Sequence, residues 1–159
     1  TKETDISINL NLDRISGSEI KTGIAFFDHM LDHFQKHGEL QLVISAKGDY
    51  EIDFHHTIED IGICLGMAIK NAIGDMKGIN RFGSFSLPMC DTLVNVSLDI
   101  CNRPYLVFNI PKLPQKIGDF DTELAKEFFK SLSFNAGITL HINVQYGEND
   151  HHFIKAIFK

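Results

Sequence analysis

One order of patterns runs through this chain twice, and a chain built that way is constrained to fold as two related halves. Alternating Ile6, Ile8, Leu10 and Leu12 mark a strand, Phe27, Met30, Leu31 and Phe34 recur at helical spacing, and Leu40, Leu42, Ile44 and Ala46 alternate again. Gly48-Asp49 then turns the chain into Asp53-Phe54-His55-His56-Thr57-Ile58-Glu59, which opens a helix with Ile58, Ile61, Leu65, Ala68, Ile69 and Ala72 on one face. Downstream the order returns. Val94, Val96, Leu98 and Ile100 alternate, a strand follows around Tyr105 to Ile110, and Leu124, Phe128, Phe129 and Leu132 mark a helix. Ile138, Leu140, Ile142 and Val144 give the next strand, Gly147 turns it, and Asp150-His151-His152-Phe153-Ile154-Lys155 opens the last helix.

This pattern predicts an α+β fold of two pseudo-symmetric β-β-α-β-α halves, with sheets packed against helices. Two copies of so long a unit are too few for a solenoid. We expect one domain over residues 1–159, divided at about 1–84 and 85–159, with Gly74 to Pro88 as the linker and Pro111 to Gly118 as a polar loop. Gly38 and Gly137 are helix stops. Gly62 and Gly66, four apart on one helix, would let another backbone approach closely.

The chain has 159 residues, 43% of them apolar, which is enough for one substantial core. Its formal charge of -6 and the absence of a Lys/Arg run argue against nucleic-acid binding, while leaving a charged small molecule open. No apolar run reaches the roughly 18 residues of a membrane span, and Thr1-Lys2-Glu3-Thr4 lacks a signal-peptide layout, so a cytoplasmic setting without membrane partners is expected. Cys64, Cys90 and Cys101 lack a metal-binding spacing and read as core thiols. Ala156-Ile157-Phe158-Lys159 stop about two turns into a helix, so the chain is expected to be part of something longer.

Paired imidazoles are what divalent transition metals seek. Adjacent histidines on a helix point about 100 degrees apart, so His55 and His56 are expected to serve two ions rather than chelate one. Glu59 stands four residues after His55 and three after His56, close to both stripes. Imidazole with carboxylate suits manganese, iron, cobalt, nickel or zinc, and the lack of nearby thiolates argues against a structural zinc site. In the second copy Lys155 stands where Glu59 does in the first. A further ligand position is His29 on the first half's early helix, matched in the second half by the neighbourhood of Glu127. His33 and His37 continue the series from His29, His37 being equally a favourable cation at a helix end. His141, between apolar neighbours in a strand, reads as a core histidine.

These residues carry a resemblance. The segments Thr1 to Thr4, Gly23-Ile24-Ala25-Phe26-Phe27-Asp28-His29-Met30-Leu31, Asp53 to Gly62, Gly78 to Gly83, Asn102-Arg103-Pro104-Tyr105-Leu106, Thr139-Leu140-His141-Ile142 and Gly147 to Lys159 resemble the imidazoleglycerol-phosphate dehydratase family over nearly the whole chain. The resemblance implies a ribosomal protein S5 domain 2-like fold, two manganese ions per active site, and an assembly of 24 identical subunits with sites where subunits meet. One ion would take His29, His56, Glu59 and His152, the other His55, Glu127, His151 and position 155. Glu127 stands where many members have His, and Lys155 replaces the usual carboxylate. An ammonium repels a divalent ion and offers no lone pair, which puts the second ion in question. Cys90-Asp91 departs from the family's usual pair of carboxylates.

By the same resemblance Arg81, Arg103 and Lys159 hold the substrate phosphate, for which guanidinium forks are well shaped, and Glu3 is the acid/base carboxylate. The reaction implied is loss of water from imidazoleglycerol phosphate to give imidazoleacetol phosphate in histidine biosynthesis. The hydrogen to be lost is activated by no carbonyl and is only weakly acidic, and Lewis-acidic ions on the ring would favour an imidazolate able to expel hydroxide. Two rivals remain: a folded metal-binding assembly protein of the same family impaired by Lys155, and a metal-dependent hydrolase, which would release phosphate.

Overall fold

The computed structural model describes residues 1–111 and 113–159; Lys112, within the expected polar loop, lies outside it. Chain order is β1 (Asp5–Asn11), β2 (Glu19–Lys21), α1 (Ala25–His37), β3 (Gln41–Lys47), α2 (His55–Ile73), β4 (Phe82–Met89), β5 (Thr92–Ile100), β6 (Tyr105–Asn109), β7 (Lys116–Ile117), β8 (Phe120–Asp121), α3 (Glu123–Ala136), β9 (Ile138–Tyr146) and α4 (Asp150–Phe158). The first sheet has the order β1-β3-β2, with β1 antiparallel and β2 parallel to β3. The second has the order β4-β5-β9-β6, with β5 antiparallel and β6 parallel to β9. Apart from β4, the second sheet reproduces the first: β5, β9 and β6 stand as β1, β3 and β2 do. Each parallel pair is joined by a crossover helix, α1 or α3, as parallel strands require.

β3 and β9 are therefore the central strands, and each runs out through a glycine, Gly48 or Gly147, into a helix that starts with two histidines. Leu42 and Ile44 of β3, Val94 of β5, and Leu140, Ile142 and Val144 of β9 turn inward onto the helices. Phe27, Phe128 and Phe158 join α1, α3 and α4 through ring contacts of 5.2 to 6.2 Å. The close approach expected at Gly62 and Gly66 is made by α3: a methyl on Gly62 would lie 2.8 Å from the Phe128 carbonyl oxygen, and one on Gly66 2.6 Å from that of Leu132. Burial of this apolar surface is the main force holding helices to sheets.

Four expectations are corrected. Gly74 to Pro88 is not all linker, because β4 begins at Phe82 and pairs with β5 through Met89. Its Phe82 and Phe85 are largely exposed on an edge strand, so no clean alternation announced it. The Pro111 to Gly118 segment is not wholly loop, since β7 pairs with β8. Cys90 is exposed in the β4–β5 turn and Cys64 and Cys101 are only half-buried, so none is a core thiol. His141 is exposed: Leu140 and Ile142 point inward, and a period of two sends the residue between them outward. Among the described residues no helix is long and apolar enough to cross a membrane.

Candidate metal centre

The first histidine pair is held at the N-terminus of α2. The Asp53 carboxylate accepts the backbone N–H of His55 at 2.7 Å, satisfying one of the donors that every helix start leaves open. His55 reaches along the helix to Glu59, Nε2 to Oε2 3.8 Å. His56 turns the other way, as adjacent helical residues must, and its Nδ1 lies 2.9 Å from Oδ2 of Asp49. That hydrogen bond, with the Asp49 charge, raises the His56 pKa; Asp53 and Glu3 add to it from further off. Glu3 is brought there by the docked N-terminal segment, in which the Thr4 hydroxyl donates to the Asp60 carboxylate of α2 at 2.5 Å.

The second pair, at the N-terminus of α4, repeats the backbone arrangement. The Asn149 side-chain oxygen accepts from the N–H groups of His151 and His152 at 3.0 and 3.3 Å. His152 Nδ1 is hydrogen-bonded to Asp91, whose other oxygen accepts the N–H groups of Glu148 and Asn149 at 2.6 and 2.8 Å. These bonds hold the Asp91 pKa well below the usual carboxylate range, the His152 bond most of all. His151 faces α1, its ring 6.5 Å from that of His29. Burial pushes its pKa down first, and the Lys155 charge, His29 and His152 push it further. One turn along α1, His33 Nε2 lies 3.2 Å from His29 Nε2. Burial, then Lys155, His29, Lys159 and His37, lower the His33 pKa to about 4, so that ring is neutral in the physiological range.

A model of the imidazoleglycerol-phosphate dehydratase family matches residues 22–159. Similar proteins of that description include one from Acetivibrio thermocellus, 54% identical over all of this chain and 82% of its own length. Another, from Rhodopseudomonas palustris, is 51% identical over all of this chain and 81% of its own length. The chain belongs to the imidazoleglycerol-phosphate dehydratase family. Among solved structures, the dehydratase from Staphylococcus aureus superposes with a TM-score of 0.88 at 46% identity, covering 98% of this chain and 87% of its own. The Pyrococcus furiosus structure, a complex with (S)-C348, gives 0.86 at 38% identity, covering 100% and 85%.

Within one copy of this dehydratase-family chain the expected ligands fall into separate groups. His55, His56 and Glu59 stand together on α2; His29 and His151 face each other across α1 and α4, with Lys155 beside them and His152 turned to Asp91. Glu127 on α3 is ion-paired with Lys130, Nζ to Oε2 3.1 Å. Among the described residues no group of three or more His, Cys, Asp or Glu side chains is close enough to hold one ion. Arg81 and Arg103 line a hollow of about 330 Å³ with Met76, Ile79, Ile100 and Cys101. The Arg81 fork is bound to both oxygens of Asp99, at 2.6 and 2.9 Å. Lys159 is not there: it ends α4 near His33 and His37.

Sequence reasoning missed the two carboxylates on histidine Nδ1 atoms. Asp49 was legible only as a turn residue beside Gly48, and Asp91 lies far from His152 in sequence, so neither spacing nor the repeat could signal the contact. The donor set nonetheless fits a divalent transition ion. With Nδ1 engaged, the Nε2 of His56 and of His152 stays without a hydrogen bond among the described residues, as a ligating nitrogen must.

Proposed function

We propose that this chain catalyses the manganese-dependent dehydration of imidazoleglycerol phosphate to imidazoleacetol phosphate in histidine biosynthesis. It would do so as one domain of two repeated halves, in a cytoplasmic assembly of 24 copies. Membership of the dehydratase family carries the reaction; the doubled strand–glycine–His-His–helix arrangement supports the metal. One ion would be held by His29, His56, Glu59 and His152, and the other by His55, Glu127 and His151 with position 155. Because these residues stand in separate groups within one copy, each complete set draws on more than one chain, which favours sites between subunits.

Bound ions would supply Lewis acidity to the substrate's imidazole, favouring the deprotonated ring and so the departure of hydroxide from the carbon attached to it, while the next carbon of the side chain loses its proton. Glu3 is the group for that proton, its carboxylate carried to the α2 N-terminus by the Thr4–Asp60 contact. Arg81 and Arg103, converging on one hollow, bind the phosphate, with Lys159 contributed by another copy. Arg81 can serve only if its fork is shared with Asp99 or released from it.

One observation favours the second reading, a folded metal-binding relative without full activity. The Lys155 ammonium stands close enough to His151 and His33 to depress the pKa of both, so it opposes a further cation there. Metal content per chain after manganese loading, with imidazoleacetol phosphate formation assayed on the same sample, separates the two. About two ions with turnover supports the dehydratase with Lys155 accommodated. About one ion without turnover, restored towards two by Lys155→Glu, supports the disabled relative. Phosphate release would refute both in favour of a hydrolase.

A further inference from the structure

The duplication predicts that what holds His56 should also hold His152, and it does not. Asp49 follows Gly48 at the exit of β3, and its Oδ2 meets His56 Nδ1 at 2.9 Å. The corresponding residue after Gly147 at the exit of β9 is Glu148. Yet His152 Nδ1 is met by Asp91, from the β4–β5 turn, while Glu148 contributes only its backbone N–H to the same carboxylate. Two unrelated positions thus perform one task on the second histidine of each pair. A contact inherited by simple copying would have used Glu148, so the common feature is the chemistry required at Nδ1 rather than the repeat.

That chemistry is specific. An ionised carboxylate can only accept, so the ring nitrogen facing it must carry the hydrogen, and the lone pair of the neutral ring is then left on Nε2. The first histidine of the α2 pair is treated differently, His55 Nε2 rather than Nδ1 lying nearest a carboxylate, 3.8 Å from Glu59. We propose that Asp49 and Asp91 are positioning residues that fix His56 and His152 in the tautomer and orientation needed to bind a divalent transition ion through Nε2. The proposal rests on the reading of these histidines as ion ligands and goes beyond it by naming the residues that make them so. The two supports are not equally stiff. Asp91 is anchored by the N–H groups of Glu148 and Asn149 and by the Thr92 hydroxyl at 3.3 Å, whereas the second oxygen of Asp49 is buried without a partner.

Asp91→Asn is the decisive variant. Its amide oxygen can keep both backbone N–H bonds while its NH₂ faces Nδ1 and donates, which drives the ring hydrogen to Nε2 and blocks ligation. Nitrogen-15 NMR of the metal-free chain reads the tautomer, and calorimetric titration with Mn²⁺ reads affinity. The expected result is a switch at His152 from the Nδ1–H to the Nε2–H form. A 10- to 100-fold weaker Mn²⁺ affinity should accompany it, about the usual effect of losing such a partner, in a metal-free chain that still unfolds cooperatively. Asp49→Leu, which removes the acceptor at a site with no backbone bond to lose, should weaken affinity similarly, and it decides the question if Asp91→Asn does not fold. Unchanged Mn²⁺ affinity in a folded variant overturns the proposal and leaves the metal reading standing. A parent chain that binds no Mn²⁺ overturns both.

Discussion

Gly66→Ala isolates the helix contact on which the placement of the first histidine pair depends. A methyl at Gly66 would lie 2.6 Å from the Leu132 carbonyl oxygen, 2.8 Å from Asn135 Cβ and 3.0 Å from the Ala136 nitrogen, where ordinary contact begins at 3.4 Å. The nearest obstacle is backbone of α3, so no rotamer change relieves it, and α2 and α3 must separate by a large part of an ångström. Overpacking of this kind costs about 1 to 3 kcal/mol, and a collision on three atoms belongs at the upper end. Alanine recovers up to about 1 kcal/mol through its higher helix propensity, leaving a net loss of about 2 kcal/mol. For a domain of this size that lowers the thermal midpoint by about 4 to 8 °C. The assay is thermal and urea unfolding of parent and variant at one protein concentration, because any assembly makes the midpoint concentration-dependent. Gly62→Ala, 2.8 Å from the Phe128 oxygen, should behave alike, while alanine at Gly74 meets no atom within 4 Å and its cost there comes from the positive φ of 63° alone. An unchanged or higher midpoint for Gly66→Ala would mean that the helices do not pack through these glycines, and the placement of His55 and His56 would need another explanation.

Thr57→Val should raise stability by about 1 kcal/mol in urea unfolding, because the Thr57 hydroxyl is buried without a partner and its desolvation is not repaid. Cys90→Asn should stabilise by about 0.5 kcal/mol by the same measurement, since Cys90 holds a φ of 52° that asparagine tolerates better. Stability of the metal-free chain should fall on acidification from pH 6.5 towards 4. His33 has a folded pKa of about 4 against an ordinary 6.5, so in that window the unfolded chain takes up the proton first. The depressed Asp91 pKa extends the loss below the usual carboxylate range, its contribution being complete only above it. His33→Gln should flatten the pH 4 to 6.5 part of the profile; a slope unchanged by that substitution would refute the assignment. Lys155→Glu should increase manganese content per chain, measured by elemental analysis.

The fold was legible where side-chain periodicity reports directly on burial. Ile6, Ile8 and Leu10, or Leu140 and Ile142, alternate because one face of each sheet lies on the helices, and Gly62 with Gly66 announced a close backbone approach that α3 makes. β4 was not legible because an edge strand with Phe82 and Phe85 exposed has no face that must be apolar. The candidate site was half legible for a related reason. His55, His56, His151 and His152 declare themselves by repetition and local spacing, as does Glu59. Asp91 acts across 61 residues of separation, and the neutral state of His33 depends on burial between α1 and α4, neither of which local sequence encodes.

The placement of both pairs at helix N-termini carries a consequence that follows from charge. The partial positive charge of a helix start favours neutral imidazole, which is the ligating form, but it disfavours the cation to be bound. A site built there needs carboxylates to reverse the local sign. Around the first pair Asp49, Asp53 and Glu59 all lie in contact with the histidines or the helix start, and the field of Glu3 reaches His56. Around the second pair Asp91 is engaged by His152 and Asp150 lies in the first turn of α4, while the Lys155 charge bears on His151. Both helix starts therefore carry carboxylates, and what sets the α4 end apart is the Lys155 ammonium. If two manganese ions are shared between copies, as proposed above, the one beside Lys155 would be the weaker held and the first released as manganese is withdrawn.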